Sequence, residues 1–166
     1  MKKTLLFLLA ALILVSLAAC GGSKDCAQKV KESFTAPFEY SVSTRGFAFE
    51  YARTPDTATM VLTSPDTLSG LKITRTASGI TATYDDLVVT LPENTAQKLI
   101  SLDDLAQKLP AFIDSGEYTL QSADGRNELT FTENGVVYTV VCGAEGELIS
   151  AFVKANGKTY EFDFVQ

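Results

Sequence analysis

Asn127-Glu128-Leu129-Thr130-Phe131-Thr132-Glu133-Asn134-Gly135-Val136-Val137-Tyr138-Thr139-Val140-Val141-Cys142 is the stretch that decides the fold class. Two runs, 127–132 and 136–142, are rich in β-branched and aromatic residues and flank an Asn-Gly pair. Such side chains fit a pleated, half-exposed surface. Asn-Gly supplies the positive φ angles of a tight type I′ turn. The stretch therefore predicts an antiparallel hairpin. The pattern continues downstream, with strands expected at Leu148–Lys154 and Lys158–Phe164, joined by Asn156-Gly157 and preceded by Glu145-Gly146. Upstream, Glu117–Ser122 and the turn Asp124-Gly125 complete a meander.

The N-terminal half carries the same rhythm. Phe38, Tyr40 and Val42 alternate with polar residues, as do Phe47, Phe49 and Tyr51, and then Ala58, Met60 and Leu62. Period-two alternation describes strands with one packed face and one wet face. Arg45-Gly46, Thr54-Pro55-Asp56 and Ser64-Pro65-Asp66 punctuate the runs. Leu71–Thr76 and Ile80–Tyr84 flank Ala77-Ser78-Gly79, and Leu87–Leu91 follows Asp85-Asp86. Two segments are helical instead. In 25–34, Cys26, Val30 and Phe34 share one face, Asp25 is placed to cap the start, and Pro37 bars continuation. A second helix is expected to open at Ser101, with Asp104 in its first turn and Leu102, Leu105, Ala106 and Leu109 on one face. Pro110 is expected to kink or end it, with Ala111-Phe112-Ile113 as a further turn beyond.

Two short helices cannot cover the apolar face of so many strands unless the sheet curls. The expected class is α+β, mostly β: a strongly curled antiparallel sheet, an unclosed half-barrel, wrapped around one or two short helices. Its concave interior would be apolar.

The N-terminus reads differently. Met1-Lys2-Lys3 is a short positive start, followed by an apolar run from Leu5 to Leu17. A positive end, a short apolar core and small residues before a cut describe an export signal. Leu17-Ala18-Ala19-Cys20 resembles the bacterial lipobox, which implies cleavage before Cys20 and a diacylglyceryl group on its thiol. The expected organisation is a signal peptide over 1–19, a lipidated tether over 20–24 and one domain over 25–166. The implied location is the extracytoplasmic face of a cell membrane, with the membrane contacted through the lipid.

Composition excludes several functions. The chain of 166 residues has 14 basic and 20 acidic residues, a net charge of −6, and no histidine or tryptophan. With no basic stripe, no nucleic-acid partner is expected. Without histidine, Ser-His-Asp and Cys-His nucleophile systems are impossible. No Gly-x-Ser-x-Gly, Ser-x-x-Lys, Walker or Gly-x-Gly-x-x-Gly motif is present, and no enzyme activity, cofactor or metal is expected. Asp85-Asp86, read as adjacent strand residues, would point to opposite faces. Asp103-Asp104 at a helix start is explained by the helix dipole. Arg45, Arg53 and Arg75 read as solvated surface or, less simply, as contacts for an anionic headgroup. Cys26 and Cys142 fit either two buried thiols or one disulfide.

Met60-Val61-Leu62-Thr63-Ser64-Pro65-Asp66-Thr67-Leu68-Ser69-Gly70-Leu71-Lys72-Ile73 runs strand, Ser-Pro turn, then Leu-x-Gly-Leu opening the next strand. With Tyr84-Asp85-Asp86-Leu87 and the later helix, this order resembles the LolA and LolB lipoprotein-carrier superfamily, and most closely its tethered lipoproteins in Firmicutes. The resemblance implies an unclosed barrel that holds acyl chains. The expected function is therefore binding of a lipid, acyl chain or other hydrophobic ligand, with Phe47, Phe49, Tyr51, Met60 and Leu62 as the cavity wall. The alternative is a packed-core module that binds or regulates another envelope protein. A cavity of several hundred Å³ favours the first; a close-packed interior favours the second.

Overall fold

In a computed structural model, residues 21–165 are described; Cys20 and the segment before it, expected to be an export signal, lie outside them. Helix α1 (Gly21–Ser33) leads into six strands: β1 (Phe38–Thr44), β2 (Phe47–Arg53), β3 (Ala58–Ser64), β4 (Lys72–Thr76), β5 (Gly79–Tyr84) and β6 (Leu87–Leu91). Helix α2 (Gln97–Ser115) follows, then β7 (Thr119–Ala123), β8 (Arg126–Glu133), β9 (Val136–Gly143), β10 (Leu148–Ala155) and β11 (Lys158–Val165). Single 3₁₀ turns precede β4 (Asp66–Leu68) and α2 (Glu93–Thr95).

The strands form one antiparallel sheet of eleven, in the order β6-β5-β4-β3-β2-β1-β11-β10-β9-β8-β7. Each half is a meander, and the two halves join where β1 pairs with β11, Val42 lying opposite Phe164. β6 and β7 end the sheet and do not pair with each other, so the half-barrel is unclosed. The turns follow the dipeptides that announced them: Asn134 and Asn156 adopt φ of 51°, with Gly135 and Gly157 at 79° and 73°.

One cluster of buried side chains fills the concave side and includes residues of both helices. Directly paired antiparallel residues share a face, so the register traces apolar rows across the strands. Leu129, Val140, Ala151 and Phe162 form one such row, each fully buried. Helix α1 sets Cys26 and Val30 into this core, and Phe34, the residue just after the helix, continues the expected face. Phe112 of α2 stacks on Phe131, which stacks on Tyr138, with ring centroids 4.4 and 4.8 Å apart. Lys31 of α1 pairs with Asp114 of α2.

The helices depart from expectation at their starts. α1 begins at Gly21, not Asp25, so Asp25 is no cap; it lies within the helix and pairs with Lys29 at 3.4 Å. α2 begins at Gln97, four residues before Ser101, because Leu99 extends the buried apolar stripe by one turn. Past Pro110, the further turn at 111–113 forms and α2 ends at Ser115. Pro110 removes one helical hydrogen bond, but Leu109 and the Phe112 stack on either side hold both turns against the sheet. Asp85 and Asp86 are turn residues, not strand residues, and both are exposed. Among the described residues no helix is long and apolar enough to cross a membrane.

Candidate hydrophobic binding site

The helices cover the middle of the trough and leave its β6 end uncovered. Between β2–β4 and the start of α2 lies a cavity of about 370 Å³. Its strand wall is apolar: Phe47 and Phe49 from β2, Met60 and Leu62 from β3, Leu71 and Ile73 beside and within β4. Its opposite wall is the segment Asn94–Leu99, the 3₁₀ turn and first turn of α2. The pairing between β2 and β3 slips at this point, where Ala48 lies opposite Ser64 and Phe49 opposite Leu62. Thr63 is thus an extra residue, a bulge that bends the strand beside the cavity rim.

The apolar wall does not stop at the cavity. Met60 pairs with Ile73, Ile73 with Ala82, and Ala82 with Val89, so this row crosses from the cavity to the free edge on one face. Tyr84 and Leu87 lie alongside it on the same face, directly opposite each other. Tyr84 is 41% exposed, Leu87 64% and Val89 43%. The concave face therefore offers a half-open apolar pocket, with an apolar row running from it to the uncovered free edge.

The structure brings together four of the five residues expected in the wall. Phe47, Phe49, Met60 and Leu62 line one cavity, while Tyr51 stands apart from it. Tyr51 is fully buried, and its hydroxyl donates to Asp103 Oδ1 at 3.3 Å. Burial first, and the Asp103 carboxylate second, push the Tyr51 phenol far above its ordinary range, so it remains a neutral donor. Cys20, the expected lipid-attachment residue, lies outside the described residues.

Tyr51 belongs to a second feature that the sequence reading missed. Asp103 is 1% exposed and accepts from four side chains. Arg53 Nε donates to Oδ1 at 2.7 Å and Arg75 Nη1 to Oδ2 at 2.8 Å. Gln107 adds a bond to Oδ2 at 3.1 Å, beside that from Tyr51. Arg75 Nη1 also reaches Asp104 Oδ1 at 2.8 Å. Arg53 and Arg75 are thus not solvated surface, and Asp103 is not explained by a helix start, since it sits mid-helix. A buried carboxylate needs paired cations and hydrogen bonds to exist there. This clamp fastens α2 to β2 and β4, the two strands flanking the β3 part of the cavity wall. Its signals were present: Asp103 lies four residues after Leu99 on the apolar stripe, and Arg53 and Arg75 share strand faces with Tyr51 and Ile73. Arg45 is exposed.

The cavity also holds a cation. Lys98, in the first turn of α2, lies on its wall with Nζ 4.6 Å from the Phe47 ring centroid. Burial lowers its ammonium below the ordinary lysine value.

The thiols of Cys26 and Cys142 are both buried and free, with their sulfurs 2.8 Å apart. Burial, and then the neighbouring Cys26, push the Cys142 thiol up. Among the described residues, no group of His, Cys, Asp and Glu is placed to hold a metal ion.

Neither any protein-family model nor any curated protein sequence matches the chain. Solved structures do. One is the Mycobacterium tuberculosis lipoprotein LppX, at 12% identity over 84% of this chain and 93% of that one, with a TM-score of 0.43. Another is a LolA superfamily protein from Nitrosomonas europaea, at 11% identity over 87% and 91% of the two chains, with a TM-score of 0.36. The chain is thus similar across most of its length to a mycobacterial lipoprotein and to a LolA superfamily protein, each at a distance where sequence identity is slight.

Proposed function

We propose that this protein is a membrane-tethered extracytoplasmic lipoprotein that binds a hydrophobic ligand, a lipid or acyl chain, in the cavity between β2–β4 and the start of α2. The observation that carries the reading is the cavity itself: about 370 Å³ with a wall of Phe, Met, Leu and Ile, at a place where a packed interior would have none. Protein interiors are close-packed, with few voids larger than a water molecule. Ligand sites of ~300–1,000 Å³ with mostly apolar walls and a few polar groups are the usual alternative. The exposed Tyr84, Leu87 and Val89 extend the apolar face from the cavity wall to the free edge, where an apolar ligand would first meet the protein. The Leu17-Ala18-Ala19-Cys20 sequence supports the tether, with Cys20 carrying the lipid. A holding role requires no reacting groups, and the protein would act by binding alone.

Two measurements test the proposal. Organic extraction of the purified protein, followed by mass spectrometry, is expected to recover an apolar compound in near-stoichiometric amount. After extraction, the neutral fluorophore N-phenyl-1-naphthylamine is expected to bind with enhanced emission and to be displaced by long-chain lipids. No recovered compound and no fluorophore binding would together sink the reading, and would favour a surface that works on another envelope protein.

A further inference from the structure

The polarity of the cavity is segregated by element. The β2–β4 wall presents Phe49, Met60, Leu62 and Ile73, whereas the charged group, Lys98, comes from the helix side. Lys98 is also unlike the other lysines set against the helices. Lys29 pairs with Asp25 and Glu145, Lys31 with Asp114, and Lys108 with Glu133. Among the described residues Lys98 has no carboxylate partner, and no carboxylate is found on the cavity wall. Its contact is the face of the Phe47 ring. In a chain where acids outnumber bases 20 to 14, an ammonium without a carboxylate partner beside an apolar wall is suited to meet an anion.

We infer that the ligand is a single-chain amphiphile with an anionic head, its carboxylate or phosphate against Lys98 and its hydrocarbon tail along Phe49, Met60, Leu62 and Ile73. This deepens the proposed function and rests on it. One tail fits better than two because the chamber, at about 370 Å³, lies near the lower end of the ~300–1,000 Å³ range of ligand sites. The anion would restore to Lys98 the charge-assisted hydrogen bonding that partial burial withholds. A tail too long for the chamber runs out along Val89 and Leu87. The head chemistry is shared by a free fatty acid and by an anionic lysophospholipid.

The test is displacement of N-phenyl-1-naphthylamine from the extracted protein, with each lipid kept below its micelle concentration. Palmitate and methyl palmitate share a tail, and the ester masks the head charge with one methyl group. Palmitate is expected to displace the fluorophore about tenfold better, the scale of one charge-assisted hydrogen bond. Lys98→Met should abolish that ratio and Lys98→Arg should keep it, each ratio being read against that protein's own fluorophore affinity. Lysophosphatidylglycerol against lysophosphatidylcholine repeats the comparison with a phospholipid head. A preference confined to the fatty acid assigns the free acid, and one confined to the lysophospholipid pair assigns the lipid head. Equal displacement by charged and neutral forms, or a preference that survives Lys98→Met, overturns the inference while bound fluorophore leaves the cavity reading standing. Failure of the fluorophore to bind at all removes both.

Discussion

At the scale of single residues, Asp103 is the side chain with most depending on it. Asp103→Asn keeps the shape but leaves Arg53 and Arg75, 12% and 29% exposed, facing a neutral group. Removing one partner of a buried ion pair costs ~3–5 kcal/mol, and the partial exposure of the arginines places this case near about 3. Asp104→Asn loses one contact to the same Arg75 from a carboxylate that is 30% exposed, and should cost under about 1 kcal/mol. Urea denaturation of the two variants reads the difference; equal midpoints would mean that the clamp does not hold α2. Ile73→Trp addresses the cavity instead. Ile73 is half-buried on the wall, so the larger ring should occupy the chamber, cut fluorophore binding at least about tenfold and shift stability by no more than ~1–3 kcal/mol. The wall residues were legible because alternation fixes the face of a strand residue. Tyr51 obeyed that rule too, but the clamp claimed its hydroxyl. No single-residue periodicity encodes which inward side chains will meet a helix and which will be left facing space.

At the scale of elements, α1 is held to the sheet around the β9–β10 turn. Cys26 meets Cys142 of β9, and Lys29 lies over Gly146, its Cβ only 2.8 Å from where a Cβ at that glycine would stand. Gly146 has φ of 88°, a conformation other residues adopt only under strain. Gly146→Ala should therefore cost about 1–3 kcal/mol, and thermal melting should register it. The sulfur contact predicts a further behaviour. With both thiols buried and Cys142 pushed up, iodoacetamide should leave the folded protein unmodified. Glutathione disulfide present during refolding, released as two glutathiones when it takes both hydrogens, should join the two cysteines and protect them from alkylation after a second unfolding. Full alkylation after that treatment would contradict the contact. Strand positions and turns were readable in the sequence because both obey local rules, the period of two and the positive φ of Asn-Gly. Helix boundaries were not, because tertiary burial sets them: Leu99 draws the start of α2 back to Gln97, and packing around Pro110 carries it forward to Ser115.

For the whole molecule, the excess of strand surface over helix cover has its consequence at the β6 edge, where the apolar concave face continues past the last helix contact. Leu87→Asp with Val89→Asp should change stability by no more than about 0.5 kcal/mol per site, since both are largely exposed. The same pair should weaken long-chain ligands more than short ones, which titration with two chain lengths would reveal; a uniform loss would mean that this edge is no part of the binding path. The seam between β1 and β11 bears on a different matter, the order of assembly. It joins Ser41–Ser43 to Asp163–Val165, so nearly the whole domain intervenes between the partners. Everything else in the sheet is built from neighbours in sequence, which close quickly, whereas contacts across so long a separation come late. A chain emerging from its N-terminus can thus shape two ribbons early, yet it cannot unite them until the final eight-residue strand has arrived.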